Sequence, residues 1–159
     1  MQLPDISAHR LRLALYQPDM PQNTGAMLRL CACLGLGMDI IEPCGFVLDD
    51  ARLKRVAMDY AQLAAPVRHR GWDDFHGQLG ARRLILLTTK AGMAYTGCAY
   101  RPDDVFLVGQ ESAGVPEAVH QAAHLRVTVP LASGARSLNV AMAAAMVAGE
   151  AIRQLGNHG

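Results

Sequence analysis

Residues Val127–Ala145 have the sequence VTVPLASGARSLNVAMAAA, in which three kinds of segment follow one another. A short β-branched run ends at Pro130, a loop of small residues follows, and an alanine-rich helix begins near Ser137 and Asn139. The stretch therefore predicts a strand, a tight loop and a helix N-terminus. Unpaired backbone N–H groups at such a junction suit a ligand that carries acceptors, although an ordinary strand-to-helix connection has the same pattern.

Short apolar runs and helical patterns alternate along the rest of the chain. Strands are predicted at Leu11–Tyr16, Met38–Ile41, Val67–His69, Arg83–Leu87, Val105–Val108 and Arg126–Val129. Helices are predicted at Ala26–Leu34 with Asn23 and Thr24 as caps, and at Ala51–Met58, Trp72–Leu79, Pro116–Ala123 and Ser137–Leu155. Apolar strands that alternate with helices indicate an α/β fold, with a mostly parallel sheet and helices on both faces. The 159 residues are predicted to form a single domain, residues 1–159.

Composition excludes several classes of function. Fifteen Lys and Arg residues against 14 Asp and Glu give a net charge of +1, so any contact with nucleic acid must be a local basic patch. The four cysteines lack the spacing of a zinc site, and no cluster of histidines and carboxylates predicts a catalytic metal. Because no apolar stretch resembles a signal peptide or a membrane span, we expect a cytoplasmic protein without membrane contact.

Three predicted strands end in residues that suit a binding site. In open parallel sheets, ligands bind beyond the carboxyl ends of the strands, where Leu87, Gly109 and Val129 are expected. The three loops that follow are therefore predicted to share one pocket. The chain has no nucleophile elbow and no set of catalytic histidines. Small residues, Asn, Ser, Glu and Arg remain, and they favour the transfer of a group that its carrier has already activated.

Three ordered segments resemble the motifs of a known superfamily. They are Asn23-Thr24-Gly25 followed by Arg29, Gly109-Gln110-Glu111-Ser112-Ala113-Gly114-Val115-Pro116, and Val129-Pro130 through Ser137-Leu138-Asn139-Val140. These segments resemble the three motifs of the SpoU-TrmD (SPOUT) RNA methyltransferases, most closely the TrmL/YibK type that methylates the tRNA wobble nucleotide. The resemblance implies a C-terminal trefoil knot, S-adenosyl-L-methionine (SAM) as cofactor without a metal, and a homodimer.

The resemblance also implies roles for individual residues. Those that match cofactor-binding positions are Leu87, Gly109, Val129, Ser137 and Leu138. Arg29, Glu111 and Asn139 match catalytic positions. Candidate RNA-binding residues are Arg52, Lys54, Arg55, Lys90 and Arg136, although the first three would also suit a solvated helix face. Gln110 stands where the family usually has proline, and we predict that it loosens the second motif.

The expected function is SAM-dependent 2′-O-methylation of the ribose of the tRNA wobble nucleotide, either cytidine or a modified uridine. Two alternatives remain at this point. One is the same reaction on another RNA, such as ribosomal RNA, and the other is a non-catalytic RNA-binding knot domain. Retention of Arg29, Glu111 and Asn139 favours an enzyme over a binding domain, because a degenerate site would be expected to lose some of them.

Overall fold

A computed structural model describes residues 9–47, 51, 55 and 65–156. The strands are β1 Arg12–Tyr16, β2 Gly37–Ile41, β3 Val67–His69, β4 Leu84–Leu87, β5 Val105–Val108 and β6 Leu125–Val127. The helices are α1 Pro21–Leu34, α2 Trp72–Gln78, α3 Glu117–Ala122 and α4 Val140–Gly156, with a short 3₁₀ turn at Tyr95–Gly97. Most of the predicted helix Ala51–Met58 lies outside the described residues, although residues 51 and 55 are helical.

The six described strands form one sheet in the order β3-β2-β1-β5-β4-β6, and every adjacent pair is parallel. The predicted α/β fold with a parallel sheet is therefore confirmed. Strands β2 and β3 follow one another outward on one side of β1, and β5, β4 and β6 lie on its other side. The strand order thus reverses direction next to β1, and ligands collect near such a reversal in parallel sheets.

Each face of the sheet is covered by a different pair of helices. On one face, α1 and α4 pack on alternate strand residues, including Leu13, Ile40 and Phe106, in the larger buried cluster. On the other face, Phe75 of α2 and Val119 of α3 belong to a second buried cluster. Because both faces are buried, the central strands are mostly apolar, and β4 and β5 are apolar throughout, as is typical of a parallel sheet. No helix in the described part of the chain is long and apolar enough to cross a membrane.

The start of α1 differs from the prediction. The helix begins at Pro21, and Asn23 and Thr24 lie inside its first turn and do not cap it. Proline is favoured at the first helical position because the N–H that it lacks would have no partner there. The Thr24 hydroxyl instead donates to the carbonyl of Met20 at 3.2 Å. This earlier start leaves Asn23 free to contact other segments of the chain.

A buried ion pair fixes the amino-terminal ends of β4 and β5. Asp104, which is 1% exposed, accepts two hydrogen bonds from Arg83, with Nε–Oδ1 at 2.9 Å and Nη2–Oδ2 at 2.7 Å. The backbone N–H of Arg101 also donates to Asp104 Oδ2 at 2.7 Å. Removing one partner of a buried pair leaves the other charge without compensation.

We therefore expect Asp104→Ala to lower the free energy of unfolding by about 3 kcal/mol, measured by urea denaturation. Asp103→Ala is the matched control, because Asp103 is the adjacent residue and is exposed. The control is expected to change stability by less than about 0.5 kcal/mol. Equal effects of the two substitutions would contradict a stabilising role for the Arg83–Asp104 pair.

Candidate active site

A pocket of about 430 Å³ opens at the carboxyl ends of β4, β5 and β6. Its lining residues come from the three loops that follow these strands and from the first turns of α1 and α4: Met20, Asn23, Leu87, Thr88, Thr89, Gly109, Gln110, Glu111, Gly114, Val127, Thr128, Val129, Leu131, Ser137, Leu138, Asn139, Val140 and Ala143. The prediction that three loops share one pocket is therefore confirmed.

The loop after β5 closes on itself at the mouth of the pocket. The backbone N–H of Gln110 donates to the carbonyl of Gly114 at 3.0 Å, and the N–H of Gly114 donates back at 2.9 Å. Gly114 has a φ of +65°, and a Cβ on Gly109 would lie 2.6 Å from the carbonyl carbon of Gly114. A glycine is therefore required at position 109 because the backbone of the loop approaches it closely, whether or not a ligand also does.

The predicted loosening by Gln110 is not supported. The side-chain Nε2 of Gln110 donates to the carbonyl of Gln17 at 3.0 Å, which joins this loop to the loop after β1. Proline could not make this contact because it has no side-chain donor. The substitution therefore adds a connection between the exits of two adjacent strands.

Hydrogen bonds between side chains connect the three sequence motifs. Asn23 Nδ2 donates to Glu111 Oε1 at 3.1 Å, and Asn139 Nδ2 donates to Asn23 Oδ1 at 3.2 Å. Asn139 also caps α4, since its Oδ1 accepts the backbone N–H groups of Ala141 at 2.9 Å and Met142 at 3.2 Å. A polar chain thus extends from the loop after β5, through α1, to the N-terminus of α4.

The structure brings most of the predicted site residues together. The five predicted cofactor-binding residues, Leu87, Gly109, Val129, Ser137 and Leu138, all line the pocket, as do Glu111 and Asn139. Arg29 does not line the pocket; it lies on α1, six residues after Asn23, and its side chain is exposed.

The predicted RNA-binding residues occupy different places. Lys90 and Arg136 are exposed, and each is adjacent in sequence to a residue that lines the pocket, Thr89 and Ser137 respectively. Arg55 is exposed, whereas Arg52 and Lys54 lie outside the described residues.

Sequence reasoning missed Asp19, which lies in the loop between β1 and α1. Its Oδ1 accepts the backbone N–H of Glu111 at 3.2 Å, and its Oδ2 accepts the hydroxyl of Ser112. The neighbouring side chain of Glu111 and then the hydroxyl of Ser112 lower the pKa of Asp19 to about 2, despite an opposing effect of burial. The only signal in the sequence was its position just after the carboxyl end of a strand.

The last strand and helix are held against the connection between β4 and β5. The N–H of Tyr95 donates to the carbonyl of Thr128 at 2.8 Å, and the N–H of Thr128 donates to the carbonyl of Met93 at 2.9 Å. Gln154 of α4 donates to the carbonyl of Cys98 and accepts the N–H of Tyr100. The segments that form the walls of the pocket are therefore hydrogen bonded to each other.

The side chains that line the pocket do not suggest a metal centre. Across residues 9–47, 51, 55 and 65–156, no three His, Cys, Asp or Glu side chains converge in a way that could hold a metal ion. The pocket offers backbone groups, amides, hydroxyls and one carboxyl group. Such a lining can bind and orient a small organic ligand with several hydrogen-bonding groups.

Residues 10–149 match the SpoU rRNA methylase family. A tRNA (cytidine(34)-2′-O)-methyltransferase from Beijerinckia indica is 57% identical over 147 residues, covering 91% of each chain. A solved structure described as giving insight into the 2-OH methylation of C/U34 on tRNA has a TM-score of 0.88 at 35% identity, covering 93% of this chain and 97% of that one. The SpoU methyltransferase AviRb from Streptomyces viridochromogenes, solved with AdoMet, shares the fold, with a TM-score of 0.85 at 23% identity over 93% of this chain and 61% of its own. The resemblance of the three motifs is confirmed, and the chain belongs to the SpoU rRNA methylase family.

Proposed function

We propose that this protein transfers a methyl group from SAM to the ribose 2′-hydroxyl of the wobble nucleotide of tRNA, position 34, either cytidine or a modified uridine. The observation that carries the proposal is the polar chain Glu111–Asn23–Asn139 along the wall of the pocket, because it unites all three motifs at one site. The names of the relatives, at 57% and 35% identity, give the same reaction and the same nucleotide.

The lining of the pocket fits SAM. A volume of about 430 Å³ lies in the range of small-molecule sites, which is about 300–1,000 Å³. Leu87, Gly109, Val129, Ser137 and Leu138 would hold the adenosyl and amino acid parts through backbone groups and apolar contact. Bound SAM supplies a methyl group on a sulfonium, activated for attack by the 2′-oxygen.

Arg29 is proposed to act on the RNA. A guanidinium stays protonated in proteins and is therefore unsuited to removing the proton of the 2′-hydroxyl. It is well suited to hold a phosphate or to stabilise the negative charge that develops on the 2′-oxygen. Asn139 and Glu111 would fix the loops that position the ribose.

Contact with tRNA is assigned to exposed cations near the pocket. Lys90 and Arg136 stand beside pocket residues, and we propose that they bind backbone phosphates. Arg52, Lys54 and Arg55 would extend this contact along the anticodon arm. A net charge of only +1 is consistent with a local patch in place of a basic surface.

We further propose a homodimer that forms through α4. Met142 is 60% exposed and Met146 is 41% exposed, one helical turn apart, and Ala145 and Gly149 are exposed on the same side. A face of methionines and small residues lets a second helix approach closely. A trefoil knot is supported by the contacts that hold Thr128 and Gln154 against the β4–β5 connection. Function on tRNA is consistent with a cytoplasmic location.

A second candidate substrate is ribosomal RNA, because the matching family is described as rRNA methylases. The chemistry and the site would be the same. The names of the relatives favour tRNA, since they specify cytidine 34 of tRNA. The relative from Beijerinckia indica matches about nine-tenths of the chain. The proposal therefore gives priority to tRNA, and substrate profiling separates the two.

The test of the proposed function uses purified protein, SAM and tRNA that lacks ribose methylation. We expect nucleoside mass spectrometry to find a new 2′-O-methyl nucleoside, mapped to position 34. The matched control is the same tRNA with a 2′-deoxynucleotide at position 34, which lacks the acceptor hydroxyl and should remain unmodified. Methylation of ribosomal RNA alone, or methylation at another position of tRNA, would overturn the proposed substrate.

Arg29→Ala is expected to lower kcat by about 10²–10³-fold, because it removes a cation that stabilises charge only as the reaction proceeds. SAM affinity, measured by calorimetry, should change little, since Arg29 does not line the pocket. Arg10→Ala is the control, because Arg10 is exposed and precedes β1, at the end of the sheet opposite to the pocket. Equal losses of kcat and SAM affinity in Arg29→Ala would refute the assigned role.

Gly109→Ala is expected to weaken SAM binding by at least about tenfold, because its Cβ would collide with the backbone of Gly114 and displace the loop. Gly77→Ala in α2 is the control, since nothing lies within 4 Å of a Cβ placed there. Calorimetric titration of both variants with SAM gives the comparison. Wild-type SAM affinity in Gly109→Ala would show that the loop does not shape the cofactor site.

A further inference from the structure

Asp19 holds the loop after β5 against the loop after β1. It accepts the backbone N–H of Glu111 and the hydroxyl of Ser112 through its two oxygens. Gly45 packs against it from the other side, since a Cβ on Gly45 would lie 2.8 Å from the Cβ of Asp19. The carboxylate of Asp19 is therefore fixed beside the side chain of Glu111, which lines the pocket.

One oxygen of Glu111 lacks a donor. Oε1 accepts the amide of Asn23 at 3.1 Å, but Oε2 is buried and has no hydrogen-bond partner among the described residues when the carboxyl group is ionised. Burying a carboxylate oxygen without a donor is costly, and a second carboxylate nearby adds repulsion. Both costs disappear if Glu111 carries a proton.

The neighbouring groups indicate where that proton is. The side chains of Asp19 and Glu111 are close enough to influence each other, and two carboxyl groups so placed favour a state in which one of them is protonated. Asp19 already accepts two donors from the loop, which favours its ionised form. Burial raises the pKa of Glu111, and the neighbouring Asp19 raises it further. Of the two groups, Glu111 therefore keeps its proton to the higher pH.

We propose that Asp19 is a positioning residue that keeps Glu111 protonated, so that the wall of the pocket presents an uncharged carboxylic acid. This inference rests on the proposed methyl transfer. RNA brings negative phosphates to the pocket, and the 2′-oxygen gains negative charge as it attacks. An ionised Glu111 would repel both, whereas the neutral acid does not. Glu111 then orients Asn23 and Asn139 and does not serve as the base.

Few of the described residues face Glu111. They are Asp19 from the loop after β1, Asn23 from α1, and, through Asn23, Asn139 at the start of α4. Asp19 is the charged member of this set. Asp19→Asn removes that charge and offers Glu111 an amide donor, so the pKa of Glu111 should fall and the residue should ionise at lower pH.

The direct test is ¹³C NMR of protein labelled at the glutamate carboxyl carbon, with Glu111→Gln used to assign the Glu111 resonance. We expect Glu111 to titrate above the other glutamates in the wild type. In Asp19→Asn its midpoint should fall by about one pH unit or more. Asp73→Asn is the control, because Asp73 is an exposed acid on α2. Titration of wild-type Glu111 with the other glutamates, or an unmoved midpoint in Asp19→Asn, would overturn the proposal.

Kinetics give a second readout. At a pH midway between the two Glu111 midpoints, Asp19→Asn should lower kcat by about threefold for a shift of one pKa unit, because the protonated fraction falls from about three quarters to about one quarter, and lowering the pH should restore it. Adding Glu111→Gln to Asp19→Asn should recover activity, since glutamine cannot ionise. A double variant no better than Asp19→Asn, with a pH profile parallel to wild type, would mean that Asp19 only supports the loop. The NMR result stands even if wild-type protein methylates no tRNA, so failure of the proposed function is distinguishable.

Discussion

The parallel pairing of β1 with β5 is the constraint on which the rest of the molecule depends. Because β1 and β5 run in the same direction, Gln17 and Gln110, which follow these strands, emerge at the same end of the sheet and hydrogen bond to each other. The loops after β4 and β6 emerge at that end for the same reason. Residues distant in sequence therefore meet at the carboxyl ends of the strands, and the pocket lies there.

Hydrogen bonds then make these loops into one unit. Asn23, Glu111 and Asn139 come from three separate segments, and each side chain contacts the next. Asn139 additionally caps α4, so the helix N-terminus and the pocket wall share a residue. A displacement of any one of these segments would break at least one of the two hydrogen bonds. This coupling explains why a site built mainly from loops can be preorganised for group transfer.

The strands and the pocket were largely predictable from the sequence. Runs such as Val105–Val108 are apolar throughout, and glycine or proline after them marks their ends. The strand order was not predictable, because apolar strands carry no signal that selects their neighbours. The predicted start of α1 was wrong because asparagine is a common helix cap, whereas the amide of Asn23 donates a hydrogen bond to Glu111. Asp19 was missed because its partners lie 92 and 93 positions away, a separation to which local patterns are blind.

Electrostatics in this site are local. A chain with a net charge of +1 exerts little long-range attraction on RNA, so the proposed function assigns that attraction to exposed cations beside the pocket, such as Lys90 and Arg136. A pocket wall without an extra negative charge would serve the same purpose, and this is the functional reason that we propose for the pairing of Asp19 with Glu111.

The loops after β4, β5 and β6 are proposed to form the cofactor site. A crystal structure of the protein with S-adenosyl-L-homocysteine, the product of SAM, tests it most directly. The account predicts the adenosyl group among Leu87, Gly109 and Val129, with the polar chain of Asn23, Glu111 and Asn139 intact. Binding instead in the second cavity of about 250 Å³, which is lined by Arg12, Asp39 and His69 among others, would contradict it.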